Sequence, residues 1–258
     1  MYKLLAQTNS KAEIPDYLIE SPSAASCPSE FLSDAVFAGD KFWDLEAAYG
    51  RVDGVVKTAA GFCGGRIRKP SYREVCEGKS GHTEAVKVTY DKRKIAYGFL
   101  CDMFWETHDP TNKDLLNFGL GTHYRSAIFH ATDQERKEAQ QSKIRRQMKL
   151  NRRIVTKIIP YSGEFYLAEN YHQKYYLQKH CWLCESLSLR STCNFVESQI
   201  ACKLNGVLAM EGKFIIDELG RVAESYQLPK QSISACEEII GSIKRNLDEN
   251  IHKSTIVS

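Results

Sequence analysis

The chain has 258 residues, 43% of them hydrophobic, enough for one large layered domain or a domain with an appendage. Thirty-five basic residues against 32 acidic leave a net charge of only +3, so no global field favours nucleic acid or an anionic membrane as partner. Without an apolar run of about 20 residues or a signal-peptide core, and with an odd count of nine cysteines, a reduced, cytoplasmic protein is expected.

Residues 1–30 are polar and carry Pro15, Pro22 and Pro28, which predicts a flexible N-terminal arm. Alternating β-branched and aromatic residues then mark strands at 34–38, 55–61, 84–90, 125–130 and 155–159. Helical spacing fills about 44–50, 95–107 and 133–149. Strands alternating with helices predict an α/β or α+β layered domain over 31–179, a mixed sheet with helices packed on it. From 180 to 258 the pattern becomes helical throughout, broken at Gly206, which predicts a helical C-terminal extension. The densest basic stretch, Lys143 to Arg153, follows an almost entirely polar helix and reads as a solvated face before it reads as an RNA or acidic-partner patch.

The stretch AVFAGDKFWDLEAAYG carries the chemical question. An apolar strand breaks at Gly39 and a helix begins after Lys41, so backbone N–H groups and the positive end of a helix dipole meet at the turn. Such a spot suits a phosphate, a carboxylate or a thiolate, yet it holds a lysine followed by Phe42 and Trp43.

Five segments in order, VFAGDKFWDLEAAYGRVDGVVKTAAGFCGG, KPSYREVCEGKSGHTEAVKVTYD, MFWETHDPT, GTHYRSAIF and GEFYLAENYHQKYY, closely resemble the peptide methionine sulfoxide reductase A family from about Ala35 to Gln178. The resemblance implies a two-layer α/β plait. It also implies thiol chemistry without a bound cofactor. A cysteine at the helix N-terminus attacks the sulfoxide sulfur while an acid delivers a proton to the departing oxygen. A second cysteine resolves the sulfenic acid, and thioredoxin or another thiol restores the pair. Oxidised methionine in peptides or proteins would be the substrate, and neither membrane nor nucleic acid is expected as partner.

Carried over residue by residue, the resemblance makes Phe42 and Trp43 the cup for the substrate methyl, Glu74 the proton donor and Tyr124 a pocket tyrosine. It also exposes departures. Lys41 stands at the nucleophile position, Phe62 replaces a tyrosine, and Gly119 replaces an aspartate. A missing hydrogen-bond donor costs about 10²–10³-fold in rate; a missing nucleophile removes the path. Lys41 is expected to turn to solvent as an exposed residue on a decayed turn. The sharper alternative is a pair with Glu74 that fills the pocket or takes an oxygen-bearing ligand.

Cys63 is the substitute thiol to consider, although strand alternation turns it away if Phe62 faces the pocket. Cys76 reads as a buried structural thiol. Cys181, Cys184, Cys193 and Cys202 are expected to be core thiols first, a zinc set second and resolving cysteines third. His82 and His172 read as structural hydrogen-bonders or pocket neighbours. Two functions follow: a peptide-methionine (S)-S-oxide reductase relative impaired by Lys41, or a non-catalytic binder of methionine or methionine-sulfoxide segments through the retained aromatic pocket.

Overall fold

The computed structural model describes residues 28–112 and 122–256. The expected arm therefore falls outside the described residues up to Cys27, and so does Gly119. Six strands, β1 (Leu32–Ala38), β2 (Val55–Cys63), β3 (Thr83–Asp91), β4 (Ala127–His130), β5 (Lys157–Pro160) and β6 (Tyr166–Leu167), form one sheet in the order β5-β4-β1-β3-β2-β6. All neighbours are antiparallel except β4 and β5, so the sheet is mixed. The five expected strands are all present; β6, a two-residue edge inside an aromatic stretch, has no periodicity to announce it.

Alternation along the strands sorts the side chains into two faces. Phe37, Phe62, Val86, Val88 and Ile128 meet Phe42, Leu45 and Tyr49 of α1 (Phe42–Gly50) and Leu100 and Phe104 of α3 (Tyr97–Phe104). Each fully buried side chain of this size contributes about 1.5–3 kcal/mol. Val36, Ala38, Cys63, Ala85, Ala127 and Phe129 line the opposite face under Tyr161 and Phe165. Between β2 and β3 lies a short helix, α2 (Tyr72–Cys76).

Helix α4 (Asp133–Gln147) buries only Ala139 and Ser142, and Ser142 Oγ accepts a hydrogen bond of 2.6 Å from Trp105 Nε1. Its basic residues pair outward: Arg145 with Asp102 at 2.8 Å and Arg146 with Glu106, while Arg152 beyond the helix meets Asp109 at 2.9 Å. The basic stretch is thus a solvated face tied by ion pairs to the neighbouring helix and loop.

The C-terminal part is helical, as its pattern predicts, although the break expected at Gly206 is absent and that glycine lies inside a helix: α5 (Cys181–Ser186), α6 (Thr192–Glu197), α7 (Gln199–Leu208), α8 (Phe214–Ser225) and α9 (Lys230–Ile256). A second core of Leu177, Leu183, Phe195, Leu204, Leu219 and Leu228 holds it together. Helix α7 belongs to both parts, packing on α1 and β2 as well as α8. A Cβ on Gly50 would lie 2.5 Å from the Cys202 carbonyl oxygen, and one on Gly206 would lie 2.8 Å from that of Ala47, so glycine is what lets these helices touch. Among the described residues, no helix is long and apolar enough to cross a membrane.

Candidate functional site

The turn from β1 into α1 is shaped by three residues. Gly39 has no room for a side chain, since a Cβ would meet Phe104 at 2.9 Å and His108 at 3.0 Å. Asp40 takes a left-handed conformation with φ 60°, which aspartate tolerates better than most residues. Lys41 then caps α1 from an extended conformation, exposed and without a side-chain cap bond.

The orphan N–H of Phe42 at this helix start is satisfied by Glu84, whose Oε2 accepts it at 3.0 Å. Glu84 stands opposite Phe62 in the β2–β3 register, and Phe62 stands opposite Tyr166 of β6. The carboxyl is buried, only 2% exposed, on the face that packs against the helices. Burial pushes its pKa up to about 8; the Phe42 N–H pulls against this, Asp40 adds to it, and the Lys41 ammonium opposes it. At neutral pH Glu84 is therefore mostly a carboxylic acid with a proton to donate.

Aromatic rings surround this acid. Phe42 lies 6.1 Å from Phe62, 6.2 Å from Trp43 and 5.0 Å from His172 by ring centroids. The Trp43 indole N–H donates to His172 Nδ1 at 3.2 Å, and Tyr175 stacks on the indole at 4.0 Å. Tyr72 lies 4.4 Å from His172 and 6.5 Å from Phe62. Its hydroxyl reaches both the Tyr124 oxygen and the Cys76 thiol. Trp43, Tyr72 and Tyr124 are half-buried, so solvent has access to the rim. Because Nδ1 accepts from the indole, the neutral His172 ring carries its proton on Nε2. Burial lowers its pKa to about 4, and that Nε2 has no acceptor among the described residues.

The arrangement brings together Lys41, Phe42, Trp43, Phe62 and Tyr124, but the carboxyl it places among them is Glu84 and not Glu74. Glu74 is exposed on α2, where it completes a capping box: its Oε2 accepts from the Ser71 N–H and hydroxyl, both at 2.8 Å. Those bonds hold its pKa below the usual carboxylate range, so it is ionised at neutral pH and serves helix geometry. The expected Lys41–Glu74 pair is not formed: Lys41 is exposed, as the first of the two expectations had it, and its ammonium acts on Glu84 only as a charge that opposes the rise in its pKa. The signal for Glu84 was an acidic residue inside a strand whose same-face neighbours Val86 and Val88 are apolar.

The cysteines follow the preferred readings only in part: Cys63 is turned away from the pocket and Cys184 and Cys202 are buried, whereas Cys181 and Cys193, expected in the core, are exposed. Cys63 lies on the far face of the sheet, donating to the Glu164 carbonyl at 3.5 Å, with its thiol pushed up to about 12 by burial. The zinc alternative is not assembled. Cys181 and Cys193 are exposed, Cys184 donates to the Leu177 carbonyl, and Cys202 sits 3.6 Å from Thr58 Oγ1 at the α1–α7 contact. Among the described residues no group of three metal-ligating side chains forms. Cys76 is the thiol that the fold brings to the rim. Burial raises its pKa, with the Glu169 carboxylate adding to this, against the Tyr72 hydrogen bond. His82 is structural: Nδ1 accepts from Gly65 N–H at 3.1 Å and Nε2 bonds the Ile67 carbonyl at 2.8 Å.

A mixed sheet layered by helices, with a buried carboxyl, tyrosine hydroxyls and aromatic rings gathered at one helix start, defines an α/β protein. Comparison with known proteins places that class. A sequence model described as peptide methionine sulfoxide reductase matches residues 33–204. The peptide methionine sulfoxide reductase MsrA of Methanoculleus marisnigri is 43% identical over 162 residues, 62% of this chain and 98% of that protein. The chloroplastic peptide methionine sulfoxide reductase A4 of Arabidopsis thaliana is 44% identical over 148 residues, 57% of each chain. The solved methionine sulfoxide reductase A of Corynebacterium diphtheriae superposes with a TM-score of 0.54 at 34% identity, covering 61% of this chain and 78% of that one. The chain belongs to the peptide methionine sulfoxide reductase family.

Proposed function

We propose that this chain holds the oxidised methionine side chain of a peptide or protein and does not reduce it by the thiol route of its relatives. The methyl end packs on Phe42 and Trp43, and the sulfoxide oxygen accepts from the Glu84 carboxyl and from the tyrosine hydroxyls of the rim. Reduction needs more. The oxygen leaves only if two thiol equivalents become a disulfide and water, through a cysteine sulfenic acid. An amine offers no such couple, so Lys41 can bind there but cannot turn over. The observation that carries this reading is Lys41, exposed at the head of α1 where the resemblance places the nucleophile, with the Cys63 thiol on the far face of the sheet.

A second reading has one observation behind it: the half-buried Cys76, within reach of the Tyr72 hydroxyl, is a thiol near the acid. Its raised pKa argues against a resident thiolate, which is the nucleophilic form. A thioredoxin-type reductant serves a member of this family only when such a thiol works, and no bound cofactor enters either reading. A reducing, cytoplasmic setting is part of the proposal, and eight unpaired cysteines among the described residues support it.

The test is turnover of N-acetyl-methionine sulfoxide with excess dithiothreitol. The chain itself is expected to stay at background and Lys41→Cys to gain activity. Turnover by the unsubstituted chain that disappears in Cys76→Ser would overturn the proposal in favour of a relocated thiol.

A further inference from the structure

Away from the aromatic cup, the helical extension carries a pair of thiols. Cys181 and Cys184 stand three residues apart in α5, in the run His180-Cys181-Trp182-Leu183-Cys184. Helix geometry puts two Cα atoms at that spacing about 5 Å apart, inside the range of about 4.4–6.8 Å that a disulfide spans. Both side chains turn back toward the preceding turn of chain. Cys184 Sγ donates to the Leu177 carbonyl at 3.4 Å, and Cys181 Sγ donates to the carbonyl of the next residue, Gln178, at 4.0 Å. Both thiols are free.

We infer that Cys181 and Cys184 form an oxidisable dithiol, a modification site that takes hydrogen peroxide as oxidant and closes to a disulfide within α5. Neither thiol belongs to the cup, so the pair stands whether or not the proposed function does. The two cysteines divide the work by burial. Cys181 is exposed and meets the oxidant; with Trp182 it lines an open cleft of about 510 Å³ between α5 and α9. Cys184 is only 5% exposed. Burial, with Cys181 adding to it, pushes the Cys184 thiol up to about 12, so it stays protonated and does not compete for the peroxide.

The chemistry runs in two steps. The Cys181 sulfur, as thiolate, attacks one peroxide oxygen; the O–O bond breaks, a sulfenic acid forms, and the departing hydroxide takes up the proton the thiol released. The Cys184 sulfur then attacks the sulfenic sulfur; the S–S bond forms, the S–O bond breaks, and the oxygen leaves as water with the Cys184 proton. Two thiols and one hydrogen peroxide become one disulfide and two waters, with two electrons passing from sulfur to peroxide. A dithiol reductant reopens the bond by exchange. Closure needs the Cβ atoms, about 5–6 Å apart at this spacing, to approach by about 1–2 Å. Cys181 is the exposed first residue of α5, so that movement falls on the helix start and not on the core. Cys193 supplies the contrast, because it is exposed but has no cysteine within four residues along the chain.

The experiment is titration of the full chain with hydrogen peroxide, then alkylation in denaturant and tryptic mass spectrometry. Cleavage after Lys179 and Arg190 releases a peptide whose only cysteines are Cys181 and Cys184. After peroxide this peptide is expected to be unalkylated and two hydrogens lighter, and dithiothreitol added before alkylation to restore both alkyl groups. Cys181→Ser, at an exposed position, is expected to leave Cys184 fully alkylated after the same treatment. Three results would overturn the inference: Cys181 as a sulfinic or sulfonic acid beside an alkylated Cys184, a disulfide from Cys181 to Cys193, or a pair still doubly alkylated once Cys193 is oxidised.

Discussion

At Glu84 a residue that reads as an ordinary strand carboxylate becomes an acid because of where the strand puts it. Its position between β1, β2 and the start of α1 removes it from water, and burial raises its pKa from 4.5 to about 8. The unfolded chain releases this proton first, so between about pH 4.5 and 8 the folded state binds more protons, and stability falls as pH rises through that window. Glu84→Gln keeps an oxygen for the Phe42 N–H and has nothing to titrate. Urea titrations at pH 5 and pH 8 are expected to show a smaller loss of stability with pH in the variant than in the parent; parallel losses would contradict the assignment. The same scale explains what the sequence could reveal of the site. Phe42, Trp43, Phe62 and Tyr124 are legible from motif and order. Glu74 misled because Ser71-Tyr72-Arg73-Glu74 is a capping box, a local signature that a motif match cannot tell from an acid aimed at a ligand. Identifying Glu84 requires knowing which face of β3 is covered.

At the scale of elements, the site is held by the way α1 is clamped. Glu46 of α1 is wholly buried and bonds the Lys174 ammonium at 2.6 Å; the same ammonium donates to the Thr58 carbonyl at 2.8 Å, and Glu46 also accepts the Lys174 N–H at 2.9 Å. This ties α1, β2 and the His172–Tyr176 segment together, which fixes Trp43 against His172 and Tyr175. Removing one partner of such a pair strands a buried charge and costs about 3–5 kcal/mol. Lys174→Met is therefore expected to lose about that much stability in urea denaturation, and Glu46→Gln added to it to recover part. A loss below about 1 kcal/mol in the single variant would refute the clamp. Strands and helices were legible here from their periods, since apolar alternation sets the faces of β1 to β4. The clamp was not, because a buried Glu–Lys pair looks in sequence like two surface charges 128 residues apart.

Across the whole molecule the reductase-like layer and the helical extension share a boundary rather than a linker. Cys202 of α7 lies in the first core while Leu204, two residues on, lies in the second. The family match likewise ends at residue 204, inside α7, and not at the composition change near residue 180. Composition signalled a helical extension correctly, but the approach of α7 to α1 depends on Gly50 and Gly206, whose meaning appears only when two helices meet. The extension thereby supports the helix that presents Lys41 and the aromatic cup, so the site and the extension form one unit. The central claim, a cleft that binds oxidised methionine without reducing it, is tested most directly by NMR. The methyl resonance of a 13C-methyl-labelled methionine sulfoxide peptide would be followed with stoichiometric full-length protein and excess dithiothreitol. The account predicts that the resonance shifts or broadens on addition of protein and remains that of the sulfoxide, whereas conversion to the thioether signal, or a resonance untouched by the protein, would contradict it.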